Sequence, residues 1–168
     1  MRVRKVLIFG NSGSGKSTLA RALCEAGGLS HLDLDTLAWR ATDPPQRVPV
    51  EESNAAIQEF INASGAWVVE GCYADLLEKA LPFCNEIIFM DLPISACIAN
   101  ARRRPWEPHK YESRQAQDAN LEMLVEWISQ YEQREDTFSR RAHLALYESF
   151  GGKKTILTRN TSTLVSTP

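Results

Sequence analysis

The chain has 168 residues, 43% of them hydrophobic and 24% charged, with a formal net charge of −2. That length suits one α/β domain, residues 1–168, and leaves no room for a second of ordinary size. The near-neutral charge supplies no field toward nucleic acid or an anionic membrane, and no apolar run reaches membrane-spanning length. No signal-peptide pattern opens the sequence. The four cysteines (Cys24, Cys72, Cys84, Cys97) lack metal-ligand spacing, so reduced thiols in a cytoplasmic protein without a zinc site are expected.

Val3 to Phe9 reads as a strand, and its apolar run Val6-Leu7-Ile8-Phe9 is continuous rather than alternating, the pattern of a strand buried in a parallel sheet. Gly10-Asn11-Ser12-Gly13-Ser14-Gly15-Lys16-Ser17 follows it. A helix from about Lys16 to Glu25 comes next, closed by Gly27-Gly28. This is G-x-x-x-x-G-K-[ST] in a strand–loop–helix setting, a phosphate-binding P-loop. Glycines let the backbone wrap an anion, and the loop N–H groups and the helix dipole then face it. Gly10 to Thr18 are therefore expected around the phosphates of ATP. Lys16 should reach the β- and γ-phosphates, and the Ser17 hydroxyl should ligate Mg²⁺.

Leu29 to Leu34 is a second strand, ending in Asp33-Leu34-Asp35, where open α/β sheets place ligand groups. Residues 40 to 50 are proline-rich and without hydrophobic period, which predicts a mobile, solvent-facing loop. Glu51 to Ala63 is an amphipathic helix, Ala66 to Val69 a strand, Asp75 to Leu81 a short helix and Glu86 to Met90 a strand. Ile94 to Arg104 is a helix stopped by Pro105, followed by polar, irregular chain to about Gln115. Two helical stretches come after it. Asp136-Thr137 either caps the second of these or lies inside one long helix. Thr155 to Leu157 is a last strand, with a polar tail from Arg159 to Pro168. Alternating strands and helices predict an α/β sheet covered by helices on both faces.

The P-loop specifies phosphate, not reaction. A GTPase should carry N-K-x-D and D-x-x-G, which are missing, and an AAA-type or transporter ATPase is set aside because it needs a longer chain. The run Ile8 to Ala20 joined to His31-Leu32-Asp33-Leu34-Asp35 resembles adenylate-kinase-like and shikimate-kinase-like proteins. Trp67 to Tyr73, Phe89 to Pro93, Arg102-Arg103-Arg104-Pro105 and Trp127-x-x-x-Tyr131 extend the likeness. Together they look most like the "topology modulation protein" branch, over nearly the whole chain. The resemblance implies a three-layer P-loop fold with a five-stranded parallel sheet in the order 2-3-1-4-5. It also implies a substrate-binding segment at about 36–64 and a lid at about 102–118.

It implies further that Asp33 helps hold Mg²⁺ and that Asp35 binds the acceptor hydroxyl and takes its proton. The structural alternative for Asp35 is a helix N-cap. Glu70, before Gly71, acts on Mg²⁺, acts as a base, or only caps the next helix. Neither the glycine triplet of shikimate kinases nor the Asp-Gly-Phe-Pro-Arg of adenylate kinases occurs there, so neither substrate transfers. Arg104 is expected on the transferring phosphate and Arg103 against adenine, with Arg114 as an alternative; the simpler explanation is cations stabilising a helix carboxyl end. Trp39 and Arg47 are expected at the acceptor, Arg47 suiting an anionic one, and Arg159 at adenine. Structural roles are expected for Asp91, Trp127, Tyr131, His31, His109 and His143. The sequence thus predicts a Mg-ATP-dependent phosphotransferase acting on a small-molecule or nucleotide acceptor, with no direct nucleic-acid or membrane partner. The alternative is a nucleotide-binding regulator or slow ATPase.

Overall fold

The structure, a computed structural model, describes residues 2–160; most of the expected polar tail, from residue 161 onward, lies outside them. Five parallel strands form the central sheet: β1 (Lys5–Gly10), β2 (Ser30–Asp33), β5 (Trp67–Gly71), β6 (Glu86–Met90) and β7 (Lys153–Leu157). Their order across the sheet is β2-β5-β1-β6-β7, which is 2-3-1-4-5 when sheet strands alone are counted. β1 is central, in register with Trp67–Gly71 on one side and Glu86–Met90 on the other. It is buried on both faces, which is why its sequence shows no alternation.

Strand alternation divides the core in two. Leu7, Phe9, Trp67, Val69, Ile87 and Phe89 face one way, toward α2 (Asp35–Ala38), α3 (Val50–Ala63), α4 (Ala74–Ala80) and α7 (Arg140–Ser149). Val6, Ile8, Val68, Ile88 and Met90 face the other, toward α1 (Lys16–Gly27), α5 (Ile94–Arg103) and α6 (Arg114–Ser129). Helix boundaries follow local chemistry. Gly28 ends α1 in the left-handed region at φ 66. Arg104, extended ahead of Pro105, ends α5. Ser113 and Ser139 cap α6 and α7, each hydroxyl oxygen accepting the amide three residues on at 3.0 Å.

Two expectations are corrected. The 40–50 stretch is not featureless: β3 (Trp39–Arg40) and β4 (Gln46–Arg47) pair as a small antiparallel ladder around its exposed prolines. Asp136-Thr137 neither caps α7 nor lies within a helix. The Asp136 carboxylate accepts the Phe138 amide, and the Thr137 hydroxyl accepts the Asp75 amide at 2.8 Å, tying this turn to the start of α4. Among the described residues, no helix is long and apolar enough to cross a membrane.

Candidate active site

At the carboxyl edge of the sheet lies a cavity of about 740 Å³, lined by Ser12 to Leu19, Asp35, Glu70 to Cys72, Asn100 and the 103–111 segment. The loop that opens it is built on positive-φ glycines. Gly10 has φ 155 and a Cβ there would lie 2.4 Å from the Met90 carbonyl oxygen; Gly13 has φ 76 and its Cβ would lie 2.3 Å from that of Cys97. Only glycine permits both the turn and this close packing. Lys16 Nζ folds back to the Asn11 carbonyl at 2.8 Å, and Asn100 Nδ2 donates to the Gly13 carbonyl at 2.8 Å. Gly10 and Asn11 shape the loop from behind instead of lining the cavity. The buried Asn11 side chain donates to the Ile128 carbonyl near the end of α6 at 3.1 Å.

The Glu70 carboxylate lies beside Ser17, and Asp33 is its register partner on the neighbouring strand. The Ser17 hydroxyl donates to Glu70 Oε1 at 2.6 Å, and His31 Nε2 lies 3.3 Å from the same oxygen. Glu70 is only 1% exposed and caps nothing. Asp33 accepts the Asp35 amide at 2.9 Å, and Asp35 is the first residue of α2, so its carboxylate is not the N-cap acceptor of that helix. Burial, then the neighbouring charges of Glu70 and Asp35, push the Asp33 carboxyl up to about 6. The Ser17 hydroxyl and the carboxylates of Glu70 and Asp33, the last two register partners on neighbouring strands, are oxygen donors of the kind Mg²⁺ takes, although Asp33 is not among the residues lining the cavity.

Asp35 has a different surrounding. Burial alone would raise its carboxyl; the ammonium of Lys110, a hydrogen bond from Tyr73 and the charge of Lys16 outweigh this and hold it below the ordinary range. Tyr73 Oη donates to Oδ1, and Lys110 Nζ donates to Oδ2 at 3.0 Å. Lys110 lies also 3.7 Å from Asp33 Oδ2 and 3.7 Å from Glu107 Oε2. Burial disfavours its charge, but these three carboxylates prevail and raise its pKa. Nothing in the sequence reading singled out Lys110, although it is the one lysine between residues 102 and 118. Tyr73 and Asn100 were missed as well.

The expected arginines divide. Arg103 and Arg104 line the cavity, Arg103 3.2 Å from Asn100 Oδ1 and Arg104 3.8 Å from Glu107 Oε1. Arg102 turns away to Glu122 at 2.9 Å, and Arg114 pairs with Asp118 at 3.8 Å within its own helix. The cavity does not include Arg159; its neighbour Asn160 lines it, hydrogen-bonded to Asn100 at 2.8 Å. Trp39 and Arg47 stand outside the lining too. The Arg47 guanidinium sits over the rings of Trp39, Tyr73 and Phe138, 5.0 to 5.8 Å from their centroids, and pairs with Asp75 at 3.2 Å. Aromatic faces and a carboxylate engage this cation internally, although its buried Nε has no hydrogen-bond partner among the described residues.

The remaining candidates are structural. Asp91 takes a two-pronged ion pair from Arg140 at 2.9 and 2.8 Å. Buried Tyr131 donates to His143 Nδ1 at 2.7 Å, and His143 Nε2 donates to the Cys72 carbonyl at 2.7 Å. Trp127 packs against Phe138 under the Arg134 guanidinium. His109 is exposed at the cavity mouth.

Comparison with known proteins places this geometry. Residues 6–120 match the family model described as AAA domain, so the length of the chain was no ground for setting that class aside; the match spans β1 through the first turns of α6. The "Uncharacterized protein YqaC" of Bacillus subtilis (strain 168) is 21% identical over 131 residues, 77% of this chain and 73% of that protein. Among solved structures, a shikimate kinase from Acinetobacter baumannii in complex with shikimate superposes with TM-score 0.52 at 16% identity, over 94% of this chain and 85% of that one. A gluconokinase from Sinorhizobium meliloti 1021 gives TM-score 0.51 at 19% identity, over 99% and 86%. At these identities the likeness concerns the fold.

Proposed function

The chain belongs to the AAA domain family, and from that premise we propose that it is a cytoplasmic, Mg-ATP-dependent phosphotransferase acting on a small-molecule or nucleotide acceptor. The observation that carries the reading is Asp35: a carboxylate kept ionised on the wall of the P-loop cavity, between Lys16 and Lys110. The fold shared with structures named as shikimate kinase and gluconokinase supports a hydroxyl-bearing acceptor.

In this mechanism the amides of Ser12 to Thr18 and the Lys16 side chain hold the triphosphate, with Gly10 and Asn11 shaping the loop behind them. Ser17, Glu70 and Asp33 would hold Mg²⁺, which would supply positive charge to the triphosphate. The acceptor hydroxyl sits at Asp35 Oδ2. Its oxygen bonds to the γ-phosphorus, the bond to the β–γ bridging oxygen breaks, ADP leaves, and the hydroxyl proton passes to Asp35. Residues 36–64 frame the acceptor side. Residues 102–118 act as the lid, in which Arg103 and Arg104 face the nucleotide and Lys110 meets the transferring phosphoryl. Arg159 has no part in this version, and Asn160 takes its place near the base. Water exclusion by the closed lid favours transfer over hydrolysis.

The test is ADP formation from Mg-ATP in the presence of a panel of hydroxyl- and phosphate-bearing metabolites. Stimulation by an acceptor, with a phosphorylated product, is expected. ATP binding with no stimulation across the panel would favour a nucleotide-binding regulator or slow ATPase.

A further inference from the structure

Tyr73 is buried at the end of β5 and held from every side. Arg47 lies over its ring at 5.0 Å, and Phe138 meets it edge-on at 5.3 Å. A Cβ on Gly71 would come within 3.2 Å of its Cδ2, so glycine there leaves the ring its place. The residue before it, Cys72, is fixed through its carbonyl by His143. Its hydroxyl takes part in two hydrogen bonds: one from Trp39 Nε1 at 2.8 Å, one to Asp35 Oδ1.

The direction of this chain is determined by chemistry. An indole N–H only donates and an ionised carboxylate only accepts. The single phenol proton must therefore point at Asp35, and Trp39 occupies the oxygen that would otherwise be free to turn. Oδ1 is consumed, and Oδ2 is left toward the cavity, where Lys110 meets it. Trp39 is itself 41% exposed and lines no part of the cavity, so it reaches the site only through Tyr73.

We propose that Tyr73 is a positioning residue for Asp35, with Trp39 as its orienting donor: the pair fixes the carboxylate so that Oδ2 faces the acceptor hydroxyl. The proposal rests on the phosphotransferase reading for what Asp35 does, but the relay is physical and has a readout of its own. Trp39 comes from α2–β3, in the segment framing the acceptor side. Its indole couples the seating of that segment to the orientation of the acceptor-binding carboxylate. Polarised chains of this kind strengthen cooperatively, so a change at one end is felt at the other.

The experiment has two arms. In ¹H–¹⁵N spectra, the Trp39 indole resonance is identified by its loss in Trp39→Phe. It is expected to move in Tyr73→Phe, and also in Asp35→Asn, although Asp35 shares no hydrogen bond with Trp39. In ATP turnover, Tyr73→Phe is expected to lower kcat about ten-fold with KM for ATP changed by less than about two-fold. Trp39→Phe should lower kcat less, and the Trp39→Phe/Tyr73→Phe double variant should be no slower than Tyr73→Phe alone. An indole resonance unmoved by Asp35→Asn, or additive losses in the double variant, would overturn the relay. A wild-type protein without turnover for any acceptor would count instead against the phosphotransferase reading, with the spectral arm still deciding the relay.

Discussion

Lys110 and Asp35, 75 residues apart in sequence, form an ion pair with Nζ 3.0 Å from Oδ2, and this contact ties the 104–113 segment to the carboxylate on the wall of the P-loop cavity. Both side chains are partly shielded, so the pair is a moderate tether, about 1 kcal/mol. Lys110→Met is expected to speed amide hydrogen exchange across residues 104–113 several-fold and to lower ATP turnover about ten-fold or more. Exchange and turnover both at wild-type rates would remove Lys110 from the lid's function.

Glu70 and Ser17 invite a metal test. With Glu70 neutralised, the oxygen donor set keeps its shape and loses a charge. Glu70→Gln is expected to weaken the Mg²⁺ dependence of ATP binding about ten-fold or more. Calorimetric titration with ATP, with and without Mg²⁺, measures it. An identical Mg²⁺ dependence in the variant would place the ion elsewhere.

Gly13→Ala puts a methyl group 2.3 Å from a backbone oxygen at a φ of 76. Backbone oxygen cannot rotate away as a flexible side chain could. The substitution is expected to cost about 1–3 kcal/mol, a fall of several degrees in Tm, together with loss of ATP binding. Differential scanning fluorimetry with and without ATP reads both; an unchanged melting point would mean the loop relaxes freely.

His143 gives the fold a pH dependence of predictable sign. Burial holds its imidazole neutral and brings its pKa down from 6.5 to about 4. Between those values the unfolded chain takes up a proton that the folded chain refuses. Stability is therefore complete above about pH 6.5 and falls as the pH drops toward about 4, by about 3 kcal/mol in total. Thermal melts from pH 7.5 to 4.5 should show this slope in the wild type and a flatter one in His143→Gln. Parallel slopes would exclude His143 as the source.

What the sequence disclosed and what it hid divide by distance along the chain. The P-loop reads directly because its eight residues are contiguous and its glycines answer local backbone demands. β1 and β6 read as buried because both their faces are apolar. The order of strands came through resemblance, since periodicity carries no information about neighbours. Tyr73 is 38 residues from Asp35, and Lys110 is 75 from it; only the topology of the sheet brings them together. Arg47 misled for a similar reason. An arginine in a polar stretch suggests an anionic ligand, but folding encloses it among three aromatic rings that come from separate parts of the chain. Arg103 is at the cavity while Arg102 is not, because a helix turns its neighbours about 100° apart; Arg104 reaches the cavity from the extended chain just beyond the end of α5.

The hydrogen bond from Asn11 to Ile128 gives α6 a mechanical standing. The helix begins at Arg114, within the 102–118 segment proposed as the lid, and its last turn holds the second residue of the phosphate loop. Its 16 residues make a rod about 24 Å long. On the proposed reading, the cover and the cradle of the triphosphate are the two ends of a single strut, and tilting it at one end would bear on the other.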